Sequence, residues 1–352
     1  MGKKITIKEI SKIMGVSAST VTNALTGQPN VSDELRQAIK DKANELGYKP
    51  NFHARAMVKN GITLAVITAQ QPAQYMDMVI KGMEEEAERL SDYKITLKKY
   101  LYHDNRATLE AHDCVERMIA DGADGVIFAS SFMIETYIDT LKKYIIEKKI
   151  PIIGMNDDKE LLPYISIVNS NTKVIAQMVA QTIHIQFGSN AHIGVITTSS
   201  RHANHMKILT VFKEECKRYG ITIVDILEND DSNIKSYECT HQLLTEHPEL
   251  DVIYMTSYDS VSVCKCIENM GMQEKVKVIG HDIYQEMVPY MQKDLLIASI
   301  FQNPQKQGRT VVRMLAEWIL GEKIDKEHIH IKPELVMRSN LEAYMEKHGC
   351  TM

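Results

Sequence analysis

The chain holds 352 residues, 44% of them hydrophobic, with a formal net charge of −5. That is enough apolar content for two or three folded domains, and no run approaches the roughly 18 apolar residues that a membrane-spanning helix needs. The Met-Gly-Lys-Lys start lacks the apolar core of an export signal, so the expected location is the cytoplasm, with no membrane partner. Residues 1–60 carry ten Lys and Arg against five Asp and Glu. A basic head on an acidic remainder points to a polyanion as the partner of the head alone. The six cysteines are scattered, and Cys264 and Cys266 are one residue short of a CxxC spacing, so reduced structural thiols are expected.

In chain order, Thr6 and Glu9 come first, at the S/T-x-x-E spacing in which each side chain satisfies the other's free backbone donor. Gly15 breaks that helix and Ser17 can cap the next, so residues 6–26 read as helix, tight turn, helix. Ala18, Ser19, Thr22 and Asn23 are expected to project outward, where the DNA major groove would receive them. Thr6, Ser17 and Thr20 complete the expected DNA-binding set in this unit. Val21, Ala24 and Leu25 return to one apolar face with Ile10 and Ile13. A third helix starts at Ser32-Asp33-Glu34, a cap followed by two acids, and runs to Gly47 with Leu35, Ile39, Ala43 and Leu46 on its apolar stripe. The segment NFHARAMVK, residues 51–59, has helical propensity but is shorter than the ~12 residues at which an isolated helix holds in water, so it reads as a segment that orders on binding.

The pieces TIKEISKIMGVSASTVTNAL, NVSDELRQAIKDKANELGY and PNFHARAM stand in the order found in LacI/GalR transcription regulators, and the first sixty residues resemble the DNA-binding head of that family. The resemblance implies a helix-turn-helix domain at 1–49 and a hinge helix at 50–61. It also implies base reading by Ala18, Ser19 and Asn23, and entry of Ala54 and Met57 into the minor groove, with Asn51 and Arg55 in the same hinge. The family usually has Arg where Asn23 stands and Leu where Met57 stands. Pairing of Asn23 with adenine, and a softer apolar wedge, are the expectations for this chain.

From Ile62 onward short apolar runs alternate with amphipathic stretches. Candidate strands are 62–69, 94–101, 124–130 and 151–155, then 192–198, 221–227, 251–256 and 276–282. Such alternation implies parallel sheets covered by helices, in two α/β lobes. Gly82-Met83-Glu84 with Ala87, DGADGVIF, IGHD, IASIFQNPQKQG and PELVMRS resemble the sugar-binding-protein-like core of the same regulators. The fold the resemblance implies is an all-α three-helix head joined by a hinge helix to an α/β core of two doubly wound parallel-sheet lobes, periplasmic-binding-protein-like. Crossings between lobes are expected near 166–170, 297–302 and 327–332, giving one lobe from 62–167 plus 298–326 and the other from 168–297 plus 327–345.

Ligands in open α/β sheets sit beyond the carboxyl ends of the strands. That rule gathers Gln70, Gln71, Tyr75, Ser130, Ser131, Asn156 and Asp157 from one lobe, and Thr256, Ser257, Tyr258 and Asp282 from the other. The resemblance implies effector contacts for Asp282 and Gln302. Facing polar groups suit a polyhydroxylated effector, a sugar or a sugar-like molecule. By the same resemblance Ile208 stands where most sugar-binding members carry Arg, with Lys207 beside it, so an altered ligand class stays open. His202 with His205, and His328 with His330, read as exposed polar side chains and not as metal pairs. The sequence has no GxSxG, Walker A or GxGxxG segment, and no cofactor, metal or catalytic residue is expected.

These readings converge on a repressor-like, sequence-specific regulator that binds a palindromic double-stranded operator as a homodimer. A small effector between the lobes would switch it. A dimer is expected because one head makes a small interface, and the residues after Ser339 are too few for a heptad tail. A solute-binding protein with a vestigial head, or an α/β enzyme with an accessory DNA domain, are the alternatives, as is a partner protein acting in place of the small effector.

Overall fold

The computed structural model describes residues 5–26, 30–46, 61–103, 107–129, 135–156, 162–200, 202–325 and 327–348. The head is three helices, α1 (Ile7–Met14), α2 (Ala18–Thr26) and α3 (Asp33–Glu45). The capping box forms as the spacing predicts: the Thr6 N–H donates to Glu9 Oε2 at 2.8 Å and the Glu9 N–H to Thr6 Oγ1 at 3.3 Å. Gly15 closes α1 at φ 65°, a left-handed conformation that costs glycine little. The Thr20 N–H donates to Ser17 Oγ at 3.0 Å, so Ser17 caps α2.

Ile10, Val21, Ala24, Ile39 and Ala43 form the buried centre of the head, with Leu25, Leu35 and Leu46 packed around it. Ile13 is a correction to the predicted apolar face, being 54% exposed. Three residues beyond Ile10 it has rotated past the narrow stripe that such a small core can cover. The sequence pattern also gave no sign of Arg36, whose guanidinium donates to the carbonyls of Asn23 at 3.0 Å and Ala24 at 3.3 Å and pins the carboxyl end of α2 to α3. The predicted hinge helix, with Asn51, Ala54, Arg55 and Met57, lies outside the described residues.

Two six-stranded sheets form the core. The first contains β1 (Ile62–Ala69), β2 (Ile95–Tyr102), β3 (Gly125–Ala129), β4 (Ile152–Met155), β5 (Ser166–Ser170) and β11 (His328–Ile331), in the order β11-β5-β4-β3-β1-β2. The second contains β6 (His192–Thr197), β7 (Thr222–Glu228), β8 (Val252–Met255), β9 (Lys277–His281), β10 (Leu296–Phe301) and β12 (Glu334–Val336), in the order β12-β10-β9-β8-β6-β7. Among the described residues all pairings are parallel except β10 with β12. In each sheet the order reverses beside its first strand, which opens a crevice at the carboxyl ends.

The near-continuous apolar run of β1 follows from burial on both faces. Ile62, Leu64 and Val66 pack on one side, against α4 (Ala73–Arg89) and α12 (Pro304–Ile319). Ala65, Ile67 and Ala69 pack on the other, against α5 (Thr108–Asp121) and α6 (Glu135–Lys148). The second sheet is covered likewise by α7 (Thr172–Phe187) and α8 (Ala203–Tyr219) on one face, and by α9 (Asn233–Glu246), α10 (Ser260–Asn269) and the short α11 (Val288–Gln292) on the other. The lobes share a detail that the sequence did not reveal as a repeat. Asp124 before β3 accepts the Thr63 N–H and Asp251 before β8 accepts the His192 N–H, each at 2.8 Å, so the same carboxylate bridges the first and third strands of both sheets.

The chain crosses between lobes three times, a little later than the predicted boundaries. β5 lies wholly in the first sheet and β10 wholly in the second, so the crossings follow Ser170 and Phe301; the third lies between β11 and β12. The boundaries at 167/168 and 297/298 would cut hydrogen-bonded strands, and that at 326/327 would take β11 from its place beside β5. The crossings are bonded to one another. The Asn171 N–H donates to the Ile331 carbonyl at 3.1 Å, and Asn303 Nδ2 to the Lys332 carbonyl at 3.0 Å and Glu334 Oε1 at 3.1 Å.

α4 and α12 cross at two glycines. A Cβ on Gly82 would lie 2.1 Å from the Gln305 carbonyl oxygen, and one on Gly308 would lie 2.1 Å from that of Val79. Replacing Gly308 by Ala is therefore expected to lower stability by about 2–3 kcal/mol, the upper part of the range for overpacking, read as a lower urea midpoint. A midpoint equal to that of the parent would mean the helices can part without penalty.

Candidate ligand cleft and DNA-facing helix

Between the carboxyl ends of the two sheets lies a cavity of about 110 Å³ lined from both lobes. Two of its residues occupy matching places. Asn156 follows β4 and Asp282 follows β9, both at φ 55°, a left-handed turn that Asn and Asp tolerate better than most side chains. The turn ends the strand and leaves the side chain at its tip, beside the cleft.

A hydrogen-bonded chain joins these tips. Asn156 Nδ2 donates to the Tyr75 hydroxyl at 3.0 Å, and that hydroxyl donates to Gln307 Oε1 at 3.3 Å. Gln307 Nε2 donates to the Gln302 carbonyl at 2.9 Å. Gln302 then holds both oxygens of Asp282, its N–H on Oδ1 at 3.0 Å and its Nε2 on Oδ2 at 2.9 Å. Gln302 sits in the crossing between β10 and α12, so the chain runs from the first lobe, through the connection, to the second.

Burial pushes the Asp282 carboxyl up to about 6, while the two bonds from Gln302 pull in the opposite direction. Burial also raises the Tyr75 hydroxyl, helped by the Asp282 charge, so it remains a neutral donor and acceptor.

The second lobe adds polar groups that the strand-end rule did not collect. His202, 4% exposed, places Nε2 3.1 Å from Asp231 Oδ2, and His205 Nδ1 lies 3.4 Å from Thr256 Oγ1. The reading of these two histidines as exposed is corrected: α8 starts at the cleft mouth and turns both inward against the end of the second sheet. Burial holds His205 down at about 4, neutral at physiological pH, with the neighbouring His202 acting in the same direction. Burial opposes the charge on Asp231, but the bond and charge of His202 outweigh it, and the carboxyl stays below its usual range.

Of the predicted cleft residues, Gln71, Tyr75, Asn156, Thr256, Ser257, Tyr258, Asp282 and Gln302 all line the cavity. Gln70 does not; its N–H is taken by the Tyr102 carbonyl at the sheet edge. Ser130, Ser131 and Asp157 lie outside the described residues. Ser170 ends β5 and Asp231 lies just beyond β7, so the strand-end rule extended to those two strands reaches both. Gln307 carries no such signal, being one polar residue on an amphipathic helix. Ile208 is buried and lines the cavity, whereas Lys207 is exposed and does not. His328 and His330 are exposed on edge strand β11, as expected.

In the head, Ala18 and Ser19 are exposed, while Thr22 and Asn23 are half-buried. The Thr22 hydroxyl donates to the Ala18 carbonyl at 2.9 Å within its own helix. Ser17 Oγ lies 2.7 Å from both Ser19 Oγ and Thr20 Oγ1, a hydroxyl cluster at the amino end of α2, where helix polarity favours phosphate.

A helix-turn-helix head on a two-lobed ligand-binding core defines a ligand-responsive DNA-binding regulator. The model for the periplasmic binding protein domain matches residues 64–323, and that for bacterial regulatory proteins of the lacI family matches residues 6–51. The chain belongs to the lacI family of regulators, built on a periplasmic-binding-protein domain. It is 24% identical to catabolite control protein A of Priestia megaterium, over 96% of this chain and 99% of that one. It is also 24% identical to the HTH-type transcriptional repressor PurR of Mannheimia succiniciproducens, over 96% and 98%. Among solved structures, GanP, a glucose-galactose binding protein from Geobacillus stearothermophilus, superposes with a TM-score of 0.72 at 21% identity, over 80% of this chain and 99% of that one. No helix among the described residues is long and apolar enough to cross a membrane.

His281, 1% exposed and bonded through Nε2 to the Tyr254 hydroxyl at 2.8 Å, is pushed by burial down to about 3. The unfolded chain, with its histidine near pKa 6.5, binds this proton where the folded one does not, so stability falls as pH drops below about 6.5. From pH 8 to pH 5 the expected loss from this residue is about 2 kcal/mol, and His281→Gln should flatten the profile by that amount. Asp282 works in the opposite direction between about pH 4 and 6, because its raised pKa favours the protonated folded form. Unchanged steepness in denaturation profiles of His281→Gln would mean that the ring takes up its proton without unfolding.

Proposed function

We propose that the chain is a cytoplasmic, homodimeric repressor that binds a palindromic operator through Ser17, Ala18, Ser19, Thr20, Thr22 and Asn23, with Thr6 beside them and the hinge residues Asn51, Ala54, Arg55 and Met57 in the minor groove. Its operator affinity is set by a small polar, sugar-like ligand held between the lobes by Gln71, Tyr75, Asn156, Thr256, Tyr258, Asp282 and Gln302, with Ser130 and Asp157 completing the first-lobe side. The observation that carries this reading is the bonded chain Asn156–Tyr75–Gln307–Gln302–Asp282, in which residues at the cleft are also residues of a connection between lobes. A ligand bonding to Asp282 and Asn156 changes the balance of open and closed lobes only by the difference in its contacts with the two. That difference is what moves a pair of heads on DNA. The relatives matched along nearly their whole length are transcription regulators, which supports the reading.

Asp282→Ala tests it. Ligands that stabilise the protein in a thermal-shift screen are expected to bind at least tenfold more weakly to the variant, while affinity for an operator selected from random DNA is unchanged in their absence. Undiminished ligand affinity would remove Asp282 from the site, and turnover of the ligand would move the chain to the enzyme reading. On the DNA side, Asn23→Ala should lose selected operator far more than random duplex; equal loss on both would mean that Asn23 touches only the backbone.

A further inference from the structure

The cleft holds a buried carboxylate whose partners are neutral. Asp282 is 2% exposed, and each of its oxygens accepts one hydrogen bond, both from the uncharged Gln302, leaving a lone pair on each for another donor. Among the described lining residues there are two carboxylates, Asp282 and Asp231, two imidazoles, and neither Lys nor Arg. Asp231 is matched by His202 at 3.1 Å. The helix that could have brought a cation to the cleft brings the apolar Ile208, 2% exposed. Ser170 Oγ and Asn204 Oδ1, both on lining residues, are buried without a bonding partner. They are groups to which ligand hydroxyls can bond.

Resting on the reading of this cleft as the effector site, we infer that the effector is a polyhydroxylated amine, an amino sugar in chemical class, whose ammonium group sits against Asp282. An ammonium group offers three donors and the positive charge of a Lys or Arg that the described lining residues lack, whereas a neutral hydroxyl offers one donor and no charge. A carboxylate or phosphate on the ligand would face the Asp282 carboxylate in a site of reduced dielectric and is rejected. The raised pKa of Asp282 agrees with a charge that lacks its counterpart.

The test uses the full chain and calorimetric titration at pH 7.5. The probes are the 2-amino-2-deoxyhexoses of gluco, galacto and manno configuration, their parent hexoses and their hexuronates. At least one amino sugar is expected to bind tenfold or more tightly than its parent hexose, with no binding by the uronates. Asp282→Asn should reduce that preference to within about threefold, about what a single neutral hydrogen bond can sustain. Ile208→Arg, which supplies a protein cation instead, should reduce it as well. A hexose that binds as tightly as its amine, a uronate that binds, or no binding by any of the three amines overturns the inference. If an amine binds as expected but leaves operator affinity unchanged, the amine assignment stands and the proposed regulatory function fails.

Discussion

The cost of burying a carboxylate organises the centre of this molecule. Asp282 at the tip of β9 is removed from water, and an ionised carboxylate there must be bonded. The protein supplies two of its bonds from Gln302, a residue that is itself part of the connection between lobes. Gln302 is held in turn by Gln307, which is completely buried, and through Tyr75 the line of polar contacts reaches Asn156 on the far side of the cleft. A change in what bonds to either tip is a change in what the connection must satisfy. A polar line of this kind in a dry interior has few arrangements in which every member is paired, which makes it respond in steps.

The connection is cross-linked by its own hydrogen bonds. Asn303 adopts φ 56° and its amide bonds to the third crossing, while Asn171 of the first crossing bonds to Ile331 of the same one. The three connecting segments are therefore bonded to one another. On either side lie sheets packed on both faces, and α4 meets α12 at glycine-to-backbone distances that leave no room for sliding within the first lobe. Three short connections between two packed lobes are the arrangement that hinge closure requires.

Much of this was legible in the sequence, and for identifiable reasons. The ends of β1 are legible because ITLAVITA is a two-sided buried run with a glycine before it and polar residues after. The head was legible because capping box, glycine stop and apolar stripe agree with one another. The exposure of Ile13 is not legible, because helical periodicity says which residues share a face, but not how wide a face a three-helix core can cover. The inward direction of His202 and His205 is not legible because it depends on where α8 begins relative to β7, a tertiary fact. Gln307 was invisible because it acts through Gln302 and Tyr75, residues that only folding brings beside it.

The central claim is that the polar line through the connection carries the signal from cleft to head. Gln307→Leu removes the middle of that line while leaving Asp282, Asn156 and the head in place. The direct measurement is operator affinity by fluorescence anisotropy, on a duplex selected from random DNA, with and without saturating ligand, for the parent and for this variant. The account predicts that the ligand shifts affinity at least fivefold in the parent and less than twofold in Gln307→Leu, although both bind ligand and both bind the operator without it. An equal shift in the two proteins would contradict it.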